Sequence, residues 1–289
     1  MPIVRTKLPV CLLLVVTLMP GVMPLPRGSS TARAQEIRVY TTVRNLAAVG
    51  PNESADRAPV VARSLTLFHA GKVYDYVDSA KEVTVYEPSH QRFQLLSEGR
   101  ASKTEVAQSE VRRYLSLVEE EAWKRVDEAD LSWLKFQLRP EFDASFDKAN
   151  VKLTLLGRNC RYDVEGVASA TRGVTDTYLR FADAMAELNS VLHPRAMLPS
   201  PRLKLNEELR QRELLPIVVE LQAELDRPLR LQARHEWTWK FSSSDRELIS
   251  KWERSLADAS VRRVSFRQFQ LDSLNGDGGK KLVIETAKK

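Results

Sequence analysis

The sequence predicts an α+β protein: an antiparallel, curved β-sheet made of a meander plus hairpins, with amphipathic helices packed on one face. Three observations carry that expectation. Residues 36–106 hold short β-prone runs separated by turn signals, the rhythm of an antiparallel meander. From Leu229 to Phe241 apolar and polar residues alternate without a break, as in a strand with one buried and one wet face. Two stretches with helical spacing of apolar residues, one after Ser102 and one after about Thr175, interrupt the strands.

The first 34 residues have the three-part pattern of an export signal. Arg5 and Lys7 form the basic start, residues 8–19 the apolar stretch, and a turn-rich segment ends in Ala32-Arg33-Ala34, predicting cleavage before Gln35. The apolar stretch is 12 residues long and ends at Pro20 and Gly21, whereas a spanning helix needs about 20, so no membrane span is expected in the mature chain. No twin-arginine pair precedes it, and Cys11 lies too early for lipidation. The expected location is periplasmic or extracellular. Residues 35–275 then form a single α+β domain, with a possible subdivision near 193–202, and residues 276–289 a flexible tail.

Within the meander, strands are expected at 37–43, 64–69, 72–77, 82–86 and 92–96, with Ala70-Gly71, Ser79-Ala80 and Pro88-Ser89 as turns. At Ser102 the tetrapeptide Ser-Lys-Thr-Glu has the form of a capping box, which predicts a helix carrying Val111, Tyr114, Leu115, Val118, Ala122 and Val126 on one face, with Trp123 near it. Val151, Leu153 and Leu155 then pair across Gly157-Arg158-Asn159 with Cys160, Tyr162 and Val164 as a hairpin. A helix over 175–192 presents Tyr178, Phe181, Met185 and Leu188. The proline-rich run 193–202 breaks the pattern. Residues 217–225 and the strand from Leu229 to Phe241 make a long hairpin, and Ser244 with Glu247 reads as a second capping box, opening a helix that packs Leu248, Ile249, Trp252 and Leu256.

Composition and charge narrow the function classes. The 289-residue chain is 43% hydrophobic and 28% charged, the balance of a water-soluble globular protein. Its formal +6 falls to +2 once the signal takes Arg5, Lys7, Arg27 and Arg33 with it, leaving 40 basic and 38 acidic residues. That excess is too small for a nucleic-acid footprint, and no nucleic-acid partner is expected. The same cut leaves Cys160 without a disulfide partner, so stability must come from packing. Glycine-rich nucleotide motifs, G-x-S-x-G, H-E-x-x-H and C-x-x-C are absent, and no cofactor or metal is expected.

Candidate ligand-binding residues are His235, Trp237 and Trp239, on one inward strand face, and His69 at the end of an apolar strand. Indole and imidazole rings bury area while offering polar atoms to a ligand. Arg262, Arg263 and Arg267, interleaved with Phe266 and Phe269, form a candidate anion-binding cluster.

The run Val83-Thr-Val-Tyr-Glu-Pro-Ser-His-Gln-Arg-Phe-Gln-Leu-Leu96, a strand, a Tyr-x-Pro turn and a strand within residues 63–97, resembles the central hairpin of the periplasmic lipoprotein-localisation carriers. The chain also resembles, more broadly, secreted bacterial proteins with no assigned activity. The resemblance implies a curved antiparallel sheet with helices against its concave side. Together these readings lead to a non-enzymatic exported protein that binds an apolar small molecule or an envelope protein in a sheet-helix cavity. The alternatives are a structural or interaction protein of the cell envelope without a cavity, and an enzyme whose site is assembled from distant segments.

Overall fold

A computed structural model describes residues 36–50, 53–126, 131–169, 171, 173–193, 196–224 and 228–275; the expected export signal and tail lie outside the described residues. Alternating side chains make the first part of the chain a continuous meander. Its strands are β1 (Ile37–Asn45), β2 (Val60–His69), β3 (Lys72–Val77), β4 (Glu82–Glu87), β5 (Arg92–Ser97) and β6 (Ser102–Ala107). Ala70 and Gly71, with φ of 50° and 78°, close the β2–β3 hairpin in the left-handed region, where the turn matches the twist of the strands. Helices α1 (Gln108–Val126) and α2 (Ser132–Leu138) follow, then β7 (Asp143–Asp147), β8 (Lys152–Leu156) and β9 (Cys160–Ala168). Next come α3 (Val174–Leu192), α4 (Ser200–Gln211), the long hairpin of β10 (Leu214–Glu224) and β11 (Pro228–Thr238), α5 (Ser243–Ala257), the two-residue β12 (Arg262–Arg263) and α6 (Phe266–Asn275).

All twelve strands lie in one open, curved sheet in the order β12-β6-β5-β4-β3-β2-β1-β11-β10-β9-β8-β7. Every pairing is antiparallel except the short parallel contact of β12 with β6. The fold is therefore the expected α+β class. Strand β1 is the junction: β2 pairs along one side of it and β11 along the other, so it welds the N-terminal meander to the C-terminal strands. The strands flanking residues 193–202, β9 and β10, are direct neighbours, so the sheet runs unbroken across that segment. Among the described residues no helix is long and apolar enough to cross a membrane.

The sheet buries both faces over β2 to β5. On the inner face, Phe68, Val73, Tyr86, Phe93 and Val106 pack against Val111 and Leu115 of α1, Phe181 and Leu188 of α3, and Phe269 of α6. Further along the same face, Leu153, Leu155, Tyr162 and Val164 meet Phe136 of α2 and Leu205 and Leu209 of α4. The outer face is covered by α5, whose Ile249 and Trp252 pack on Leu67, Tyr74, Val83, Val85 and Leu96. This second layer adds to the helices that were expected on one face.

Several local expectations give way to tertiary context. Ser102 to Glu105 is strand, not a capping box: Ser102, Thr104 and Val106 point inward, and the β5 ladder captures the segment, delaying the helix to Gln108. The capping box of α5 is Ser242 with Asp245, two residues before the expected pair; each side chain accepts from the other's backbone N–H. Strand β11 ends at Thr238, so Trp239 is exposed and Phe241 crosses to the outer core beside Trp252. Cys160 is buried as expected, and burial pushes its thiol up to about 12, which makes it a poor nucleophile.

Candidate ligand-binding cleft

The inward face of the C-terminal strands is incompletely covered. Register places Val219 of β10 opposite Ala233 of β11, and Ala233 opposite Val43 of β1, in one row across the sheet. In the next row Tyr162 of β9 faces Leu221, which faces Leu231. These two rows, with Leu229, floor a cleft of 340 Å³, within the range of about 300–1,000 Å³ of small-molecule sites. Unlike the aliphatic residues under α1 and the start of α3, Val43, Leu221, Leu229, Leu231 and Ala233 remain only half-buried.

The opposite wall is Ala186, Asn189 and Ser190 of α3, the connection Ala196-Met197-Leu198-Pro199, and Arg202 of α4. The connection is tied down where Leu198 N–H donates to Gln137 Oε1 of α2 at 2.7 Å. Helix α4 is oriented by Asn206, which is fully buried and donates from Nδ2 to Asp183 Oδ1 of α3 at 2.7 Å, while Arg210 pairs with the other oxygen of Asp183 at 2.6 Å. Asn206 Oδ1 then accepts from Arg202 Nε at 3.0 Å. The hydrogen-bonded chain Asp183–Asn206–Arg202 thus fixes the guanidinium at the wall of an otherwise apolar cleft. Among the described residues that line it, Arg202 is the single charged one.

The charge on Arg202 is felt by its neighbours. Burial holds Tyr178 above the usual phenol range, and the Arg202 guanidinium beside its hydroxyl partly opposes this. His235 is driven down to about 3, first by burial and then by Arg202, so it is neutral at pH 7. Its Nδ1 lies 2.9 Å from Thr41 Oγ1, and among the described residues its buried Nε2 has no hydrogen-bond partner. Thr41 and His235 form the row next to Val43 and Ala233, so this imidazole lies one step along the strands from the cleft floor. On the same inward face farther along the sheet, burial pushes Asp75 up to about 6, opposed by the Thr66 hydroxyl donating at 2.6 Å.

The residues singled out in the sequence do not assemble into one site. His235 and Trp237 face inward: Trp237 Nε1 donates to the Pro216 carbonyl at 3.0 Å, and its ring meets Tyr178 edge-on at 4.8 Å. Trp239 stacks on Trp237 at 6.1 Å but is 47% exposed. His69 is on the outer face against Phe241, with centroids 5.8 Å apart. Arg262, Arg263 and Arg267 are exposed, Arg262 pairs with Asp272 at 3.2 Å, and Phe266 and Phe269 are buried in the inner core instead of lying beside the arginines as a stacking surface. Sequence reasoning missed Arg202 and Asn206. The signal was the i,i+4 pair itself, following Pro201 at the start of a short helix.

A larger depression of 580 Å³ lies between residues 138–141 and the start of α4, but Arg139, Glu141, Lys204 and Glu207 line it, and Lys204 is already paired with Glu207 at 2.9 Å. Among the described residues no group of three or more His, Cys, Asp or Glu side chains is placed to hold a metal ion. No protein-family model and no curated protein matches the chain.

Proposed function

We propose that the protein is an exported, non-enzymatic binding protein that shelters an apolar ligand in the cleft between β1, β9, β10 and β11 and the α3–α4 connection. The observation that carries this reading is the half-buried floor. Leucine and valine side chains on the inward face are buried where α1 and the start of α3 cover them, yet here Val43, Leu221 and Leu231 face a 340 Å³ space. Covering such a surface is worth roughly 25 cal/mol per Å², a driving force available to a ligand. The carrier-like hairpin at residues 83–96 and the export-signal pattern at residues 1–34 support the same reading. The test is a titration of the purified protein with the neutral dye N-phenyl-1-naphthylamine. Saturable fluorescence enhancement is expected, abolished by Ala233→Trp, which fills the floor. Absence of enhancement, or equal enhancement in that variant, would overturn the proposal.

A further inference from the structure

We propose that the ligand is a medium-to-long-chain carboxylate, held with its head on Arg202 and its alkyl chain along the floor of Val43, Leu221 and Leu231. This rests on the cleft being a ligand site, and it adds the chemical class. A guanidinium at the wall of an apolar cleft loses part of its hydration without, among the described residues, gaining a carboxylate in return. Asn206 occupies Nε and the buried Tyr178 hydroxyl lies beside the guanidinium, so the terminal nitrogens of Arg202 supply the donors left for a ligand. Two parallel N–H donors match the two oxygens of a carboxylate. The neighbouring imidazole is uncharged at pH 7, so among the described residues the site offers one positive charge, that of Arg202. That balances a carboxylate, whereas a phosphate monoester carries about −1.5 to −2. The floor crosses four strands from β9 to β1, three spacings or roughly 14 Å, which accommodates an alkyl tail running across the sheet.

Displacement of N-phenyl-1-naphthylamine from the whole purified protein tests this, with dodecanoate, methyl dodecanoate, dodecylamine and dodecyl phosphate as competitors. Dodecanoate should compete about tenfold better than its methyl ester, the worth of one hydrogen bond to a charged group, and the amine should compete worst. In Arg202→Gln the acid-to-ester ratio should fall to about one with ester affinity retained. Should that variant fail to fold, Arg202→Lys is expected to keep a preference for the acid. Equal competition by acid and ester in the wild-type protein, an unchanged ratio in the Gln variant, loss of the preference in a folded Lys variant, or tighter binding of the phosphate would overturn the inference while leaving the cleft a ligand site. If the dye itself does not bind, the proposed function fails and the inference falls with it.

Discussion

Asp75 should make the protein more stable in mild acid than its other carboxylates would dictate. It is buried on the inward face of β3 with a hydroxyl, not a cation, as its partner, and its carboxyl is raised from 3.8 to about 6. An acid whose folded pKa exceeds its unfolded one is penalised when ionised: the penalty is absent below pH 3.8, grows as pH rises, and is complete above about 6. Two pKa units correspond to about 3 kcal/mol. Asp75→Asn keeps the shape and an acceptor for Thr66 while removing the charge. Urea unfolding of both proteins from pH 4 to pH 8 should show the variant's advantage rising from near zero to about 3 kcal/mol. Any constant offset from an altered hydrogen bond leaves that slope untouched. A difference independent of pH, or one that shrinks as pH rises, would refute the argument.

Three further outcomes follow from single contacts. His235 has the opposite sign to Asp75: its folded pKa of about 3 lies below the ordinary 6.5, so its stability contribution is complete above 6.5 and is lost as pH falls toward 3. At pH 5 the loss is about 2 kcal/mol, and His235→Gln should flatten that limb in the same urea series. At Gly157 an added Cβ would sit 2.5 Å from Phe136 Cζ and 3.0 Å from the Glu141 carbonyl oxygen, so Gly157→Ala should lower stability by about 1–3 kcal/mol. Phe136→Leu in the same chain should recover part of that loss, as thermal melts would show. Asp245 receives Ser242 N–H at 2.8 Å and Arg38 Nε at 3.3 Å while 4% exposed, so Asp245→Ala should cost about 2 kcal/mol and Ser242→Ala about 1 kcal/mol by chemical denaturation.

The strands were legible because a sheet with buried faces imposes a period of two, and residues such as Leu153 and Leu155 carry that period locally, whereas Val151, expected in the same strand, lies in the turn before β8 with φ of 51°. Ser102 misled because its inward neighbours are Thr104 and Val106: small polar residues under α6 alternate as faithfully as valines do, but they spell a cap when read alone. Helices α4 and α6 were hidden by brevity, and α4 also by Pro199 and Pro201 at its start. The inward face of His235 and Trp237 could be read from β11 itself. The face of His69 could not, because parity between distant strands is set by the pairing of Ile37 with Phe68, a long-range register that no local pattern encodes. Arg202 was invisible for a related reason. Only the return of α4 over the inner face, fixed by Asn206 and Asp183, distinguishes it from the chain's other arginines.

The cleft lies where it does because small side chains meet small side chains. Under α3 near its start, Tyr178 and Phe181 descend onto Phe68, with ring centroids 6.4 Å and 5.6 Å away, and aromatic bulk fills the layer between helix and sheet. Two turns later the same helix presents Ala186, Asn189 and Ser190 above Val43, Val219 and Ala233, and neither wall reaches the middle. A gap of that origin is not required by the backbone, so one larger aliphatic residue should close it. Ala186→Leu adds three carbons, worth up to about 2 kcal/mol if they are fully buried. The variant should therefore gain stability in urea while losing saturable dye binding, the exchange expected where an opening is maintained for a ligand. A variant that gains stability and still binds the dye with wild-type affinity would place the ligand elsewhere; one that loses stability would mean that the walls are already in contact.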